Sequence, residues 1–182
     1  SKGTVIVALP VKQWRKPRVV PTIVTTIPVE HTKFGSRHTQ ILAHNKTVKP
    51  EVVIFGDSIT HAWGGMPRSR WNKGPDSWKY LFGDRVATNM GECGDQTQNV
   101  LWRLQNGALD GLSPKLVIVW IGTNNLTRQN TAREIYWGIQ AIVDDVHKRL
   151  PEAKILLLGM SPRGKSRQGV DYSEGPVSPE RV

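Results

Sequence analysis

Val52-Val53-Ile54-Phe55-Gly56-Asp57-Ser58-Ile59-Thr60 reads as a buried strand that breaks at Gly56 and delivers an Asp-Ser pair. The run before Gly56 has strand length and strand composition, so the Ser58 hydroxyl falls at a strand's carboxyl end. In open parallel α/β sheets that edge is where ligands sit. The plainer reading is that Asp57 and Ser58 only cap the helix that follows, and the residues downstream decide between the two.

Working outward, Arg85 to Asn89 is expected as a second strand, leading into Met90-Gly91-Glu92-Cys93-Gly94-Asp95. Leu116 to Ile121 is a continuous apolar run, the mark of a strand buried on both faces, and it ends in Gly122-Thr123-Asn124-Asn125. Lys154 to Met160 is the fourth strand. Between them lie helical patterns: Trp78 with Leu81 and Phe82; Val100, Leu101 and Leu104; and a long stripe of Ile135, Ile139, Ile142, Val146 and Leu150. Thr131 with Glu134 three residues on forms a capping box for that last helix, and Arg37 to Lys46 is a helix ahead of the first strand. Strand and helix in strict alternation predict an α/β fold, a parallel sheet with helices on both faces.

The chain has 182 residues, enough for one domain with its own core. No apolar run reaches the length of a membrane span. Cys93 is the single cysteine, which excludes an internal disulfide and argues against a zinc cluster of several thiolates. The net charge of +10 is uneven: residues 1–50 carry nine Lys or Arg against the lone Glu30, and the remaining sixteen face fourteen acids. The excess therefore belongs to an arm; a basic, Pro-containing arm is placed at residues 1–36, with room for one edge strand, and its part before about residue 30 is expected to contribute little to the site. Its charges are scattered among prolines without a recognition motif, so nucleic acid is not expected as a partner. Residues 165–182 are rich in Gly, Ser, Pro and Arg and are expected to be poorly ordered. The compartment stays open between cytoplasm and secretion, since no targeting segment is visible.

Three strand ends converge on one sheet edge: Asp57-Ser58, Gly94-Asp95 and Thr123-Asn124. A serine nucleophile in acyl transfer needs donors aimed at the developing oxyanion, and these ends offer the Ser58 amide, the Gly94 amide and the Asn124 side chain. Gly at 94 suits a backbone that approaches a substrate closely. Asp57, Trp63 and Asp95 are candidates for contact with the substrate. Trp63 and Trp71 either line a cleft or fill space between sheet and helix, whereas Trp78 is read as packing. Cys93 is read as a small buried hydrophobe rather than a reactive thiol.

The blocks Gly56-Asp57-Ser58-Ile59-Thr60, Asn89 to Asp95, Thr97-Gln98-Asn99-Val100-Leu101-Trp102-Arg103-Leu104, Gly122-Thr123-Asn124-Asn125 and Ile155 to Gly164 resemble those of the GDSL, or SGNH, hydrolases. The branch most like them is that of the catalytic subunits of platelet-activating-factor acetylhydrolase, and the likeness covers a hydrolase-like domain at 37–164. The resemblance implies a three-layer flavodoxin-like α/β/α sheet, truncated on its C-terminal side. It implies Ser58 as nucleophile, an oxyanion hole of Ser58, Gly94 and Asn124, a small-molecule ester as substrate, no metal and no organic cofactor, and it permits a homodimer. Glu92-Cys93 departs from the family, which usually has an apolar residue and Gly there.

The family's last block, Asp-x-x-His, supplies the acid and base of the triad, and it has no counterpart in these 182 residues. None of His31, His38, His44, His61 and His147 stands in such a motif, although His61 falls three residues after Ser58. The expected function of the full-length form is that of a serine esterase or acetylhydrolase removing small acyl groups from a carbohydrate or lipid ester. The alternative is a non-catalytic domain that keeps the scaffold without its base.

Overall fold

The computed structural model describes residues 9–10, 19–31 and 36–161. The expected tail and most of residues 1–18 lie outside that range. The strands are β1 (Leu9–Pro10), β2 (Val52–Gly56), β3 (Ala87–Asn89), β4 (Leu116–Trp120) and β5 (Lys154–Leu157). The helices are α1 (Ser36–Thr47), α2 (Ser58–Trp63), α3 (Pro75–Phe82), α4 (Thr97–Gln105), α5 (Thr123–Thr127) and α6 (Ala132–Arg149), with a short 3-10 turn at Val24–Thr26.

The sheet runs β1-β5-β4-β2-β3, and its four longer strands are parallel. Taken in chain order those four follow the flavodoxin-like sequence 2-1-3-4. The two-residue β1 pairs antiparallel with the outer edge of β5. Register places Gly56 beside Trp120 and Ile54 beside Asn89, so the segments leaving β2, β3 and β4 emerge at one edge. The second strand begins at Ala87 rather than Arg85 and ends at Asn89 as expected, and the fourth ends at Leu157 rather than Met160, because the chain leaves the sheet at Leu158.

Strand side chains divide between two cores with the period of two that a pleated sheet requires. Val53, Phe55, Val117, Val119 and Ile155 face one side, with Ile41 of α1, Leu101 and Leu104 of α4, and Ile142, Val143 and Val146 of α6. Val52, Ile54 and Ile118 face the other, with Trp78 and Phe82 of α3. The first core is closed by three helices. The second is thinner, and Leu116, Leu156 and Leu158 on it are only partly buried.

Residues 19–31 lie over α4 and α6. Thr25 is fully buried; its hydroxyl donates to the Glu134 carbonyl and its own carbonyl accepts from the Thr97 hydroxyl. Val29 exchanges bonds with α4, its amide donating to the Gln98 carbonyl and its carbonyl accepting from Asn99 Nδ2.

Candidate active site

Helix α2 begins directly after the strand turn. Asp57 caps it, accepting the Ile59 amide at 2.9 Å, so Ser58 is the first helical residue, with an exposed side chain. Gly56 is required by packing: a Cβ there would lie 2.0 Å from Thr60 Oγ1 and 2.9 Å from the Trp120 carbonyl oxygen. Capping and presentation of Ser58 are therefore one geometry.

Asp57, Ser58 and Ile59 line a cavity of about 310 Å³ together with Trp120, Ile121, Thr123, Asn124, Met160 and Ser161. Asn124 Nδ2 donates to the Asp95 carbonyl at 2.8 Å, which ties the end of β4 to the Gly94 turn. A side-chain amide has two hydrogens, so one remains for a ligand. Gly94 is exposed at φ +88°, in the left-handed region where a residue without Cβ is favoured.

The loop between β3 and α4 is held from every side. Asn89 Nδ2 donates to the Thr60 and Gly64 carbonyls, and its Oδ1 accepts the Gly91 amide. Arg37 of α1, 2% exposed, donates to the carbonyls of Asn89, Gly91 and Pro67. Arg103 of α4, equally buried, donates to the Met90 carbonyl and pairs with Asp95. The Glu92 amide donates to the Gly56 carbonyl, and the Cys93 amide to His61 Nδ1. From the N-terminal side, His31 lies against the same turn: a Cβ on Gly94 would come within 2.8 Å of its ring. His31, just past the part of the arm before about residue 30 expected to contribute little, thus reaches the loop that carries Gly94.

Two of the expected substrate contacts are placed elsewhere. Trp63 turns toward α3, donating from Nε1 to the Ser77 hydroxyl and meeting Trp78 and Phe82 edge-on, because α2 presents that face to the thinner core. Asp95 is fully buried between Arg103 and His31, and only its carbonyl faces Asn124. Asp57 remains on the cavity wall. None of the five histidines lines that cavity.

His61 is buried, and burial first, then the Arg37, Arg103 and Arg70 charges, press its pKa down to about 4. It is a neutral acceptor for the loop rather than a base facing the cavity. Burial lifts the Cys93 thiol above its ordinary value, which disfavours a thiolate there. Glu92 is pushed up to about 7, mainly by burial and then by Asp95, and the hydrogen bond to Asp95 raises His31. Arg37, Arg103 and His31 escaped the reading of the sequence as site-forming residues, and Glu92 stood out there only as a departure from the family. Arg103 had a signal, a cation set inside the apolar spacing of Val100, Leu101 and Leu104; His31 had none, since its partners are more than sixty residues away.

A family model for the GDSL-like lipase/acylhydrolase family matches residues 54–176. The chain is 42% identical over 133 residues to the platelet-activating factor acetylhydrolase IB subunit alpha1 of Bos taurus, an alignment covering 73% of this chain and 53% of that protein. The chain thus spans about half the length of the curated relatives it matches. Among solved structures, a Streptococcus pneumonia protein named for platelet activating factor superposes with a TM-score of 0.58 at 26% identity, covering 72% of this chain and 56% of that one. AlinE4, an SGNH-hydrolase family esterase, superposes with a TM-score of 0.52 at 27% identity, covering 70% and 66%. The chain belongs to the GDSL-like lipase/acylhydrolase family.

Proposed function

We propose that this family member carries the nucleophile and oxyanion half of an SGNH-type serine esterase acting on small acyl groups of a carbohydrate or lipid ester. One observation carries the reading: Ser58 and Asn124 line the same cavity, and Asn124 is bonded to the carbonyl that follows Gly94. Ser58 Oγ attacks the acyl carbonyl, and the developing oxyanion takes hydrogen bonds from the Ser58 amide, the Gly94 amide and the free hydrogen of Asn124 Nδ2. The intermediate collapses as the carbon–oxygen bond to the alcohol breaks and the alcohol leaves with a proton from the base, and water then hydrolyses the acyl-Ser58 to the free acid. The names of the mammalian relatives specify an acetyl group, and a cavity of about 310 Å³ lined by Ile59, Trp120 and Met160 has room for a small acyl group with part of its alcohol.

The proton of Ser58 needs an acceptor, and no histidine of these 182 residues lines the cavity. That observation favours a second reading for the chain by itself: a pocket that binds the ester and stabilises charge without a working base. The two readings separate when p-nitrophenyl acetate turnover and fluorophosphonate labelling are measured for this chain and for a longer one carrying a downstream Asp-x-x-His, each beside Ser58→Ala. The expected result is feeble turnover in the short chain and Ser58-dependent turnover in the long one. Turnover that survives Ser58→Ala in both would sink the esterase reading.

A further inference from the structure

The turn that carries Gly94 also carries two carboxylates that the esterase reading does not use. Glu92 is 1% exposed and Asp95 not at all. Burying a carboxylate is costly unless something charged or hydrogen-bonding meets it. Asp95 is met by Arg103 on Oδ2. Glu92 Oε1 has no hydrogen-bond partner among the described residues, and it points toward His31, whose Nδ1 lies 4.0 Å away. Neither nearby guanidinium reaches it: Arg37 bonds three carbonyls, and Arg103 bonds Asp95 and Met90.

We propose that His31, Glu92 and Asp95 form a binding site for one divalent ion of the zinc class. Their ligand atoms all lie within 4.8 Å of one another. Metal bonds of about 2.0–2.2 Å at tetrahedral angles set ligand atoms about 3.3–3.5 Å apart. His31 Nδ1 and Asp95 Oδ1 are already at 3.3 Å, and the 4.0 Å gap to Glu92 Oε1 closes by a small rotation of that side chain. Arg103 holds the second oxygen of Asp95 and so aims Oδ1, the kind of outer partner that orients metal ligands. The side chain of His31 is 21% exposed, which leaves an open side for water as the fourth ligand. One imidazole nitrogen with two carboxylate oxygens suits zinc, cobalt or manganese better than calcium, which wants six or more oxygens. The ion's work is structural: it fastens residue 31 to the turn bearing Gly94, and it takes no part in ester cleavage.

The full chain, stripped with a chelator, is titrated with Zn²⁺ by calorimetry and with Co²⁺ by visible absorption. The expected result is one equivalent bound, with affinity lowered at least about tenfold in His31→Asn and in Glu92→Gln and unchanged in His147→Asn and Cys93→Ser. Co²⁺ should also broaden the ring resonances of His31 in the unaltered chain, a readout that needs no variant. Absence of uptake by the folded stripped chain, equal affinity in all four variants, or a Co²⁺ spectrum with sulfur charge-transfer bands would each overturn the proposal.

Discussion

On the two sides of Ser58 the molecule is built to different standards. Toward β3, the loop 89–95 is gripped by Arg37, Asn89, His61 and Arg103, all buried, with backbone carbonyls as the main acceptors. Toward β5, the cavity wall is Trp120, Met160 and Ser161, all at least partly exposed, with one bond from Trp120 Nε1 to the Gly159 carbonyl. The difference separates two demands of acyl transfer. Donors for an oxyanion must be fixed before the charge develops, since their reorganisation would cost most of what they contribute. A base is one side chain that needs only to be brought to the serine, and on the β5 side the described cavity lining contains no histidine.

The sharpest way to break this contrast is to add what the open side lacks. With an Asp-x-x-His segment supplied downstream, ester turnover should rise by about 10³-fold or more over the 182-residue chain, since a triad stripped of its base keeps only the acceleration of the oxyanion pocket. Steady-state rates with p-nitrophenyl acetate measure it; equal rates would mean that a base is already in place. Next in size comes Arg103→Ala on the gripped side. It leaves the Asp95 carboxylate buried with His31 alone, and such breaks cost about 3–5 kcal/mol, read as a shift in the urea midpoint. A loss below about 1 kcal/mol would show that the loop is held by its backbone bonds.

The same contrast explains what the sequence disclosed. The parallel sheet was legible because Val52 to Phe55 and Leu116 to Trp120 are apolar runs that only a doubly covered strand requires. Ser58 and Asn124 could be placed at one edge because each follows such a run, whereas Gly94 follows Ala87 to Asn89 and was placed there through the alternation of strand and helix. The grip on the loop was not legible, because Arg37, Asn89 and Arg103 act through carbonyl oxygens, and carbonyls leave no mark in a sequence. Trp63 was left open for a related reason: an indole near a candidate nucleophile reads alike whether it faces a ligand or, as here, meets Trp78 and Phe82.

His61 tests the gripped side through pH. Its folded pKa, pressed down to about 4, lies below the ordinary 6.5, so the unfolded chain binds more protons between those values. Its contribution is complete above about pH 6.5 and is lost as pH falls toward 4, reaching at most about 3 kcal/mol. Subtracting the stability curve of His61→Asn from that of the unaltered chain isolates this slope from every other titrating group. A difference curve that is flat from pH 7 to pH 4 would contradict the buried, neutral His61.

The smallest effect belongs to the open wall. Met160 is partly exposed and packs over Gly122, where a Cβ would come within 2.8 Å of its sulfur. Truncating it removes apolar contacts on one side of the side chain only, and water already reaches the other, so Met160→Ala should cost less than about 1 kcal/mol of stability, far below a core truncation. Its consequence lies in the cavity, which gains room beside Ser58. In the longer, base-supplied chain the ratio of butyrate to acetate hydrolysis should rise severalfold, since a methylene in an apolar pocket is worth about 1–3 kcal/mol. An unchanged ratio would place the acyl chain away from Met160, and a stability loss like that of Arg103→Ala would erase the distinction between the two sides of Ser58.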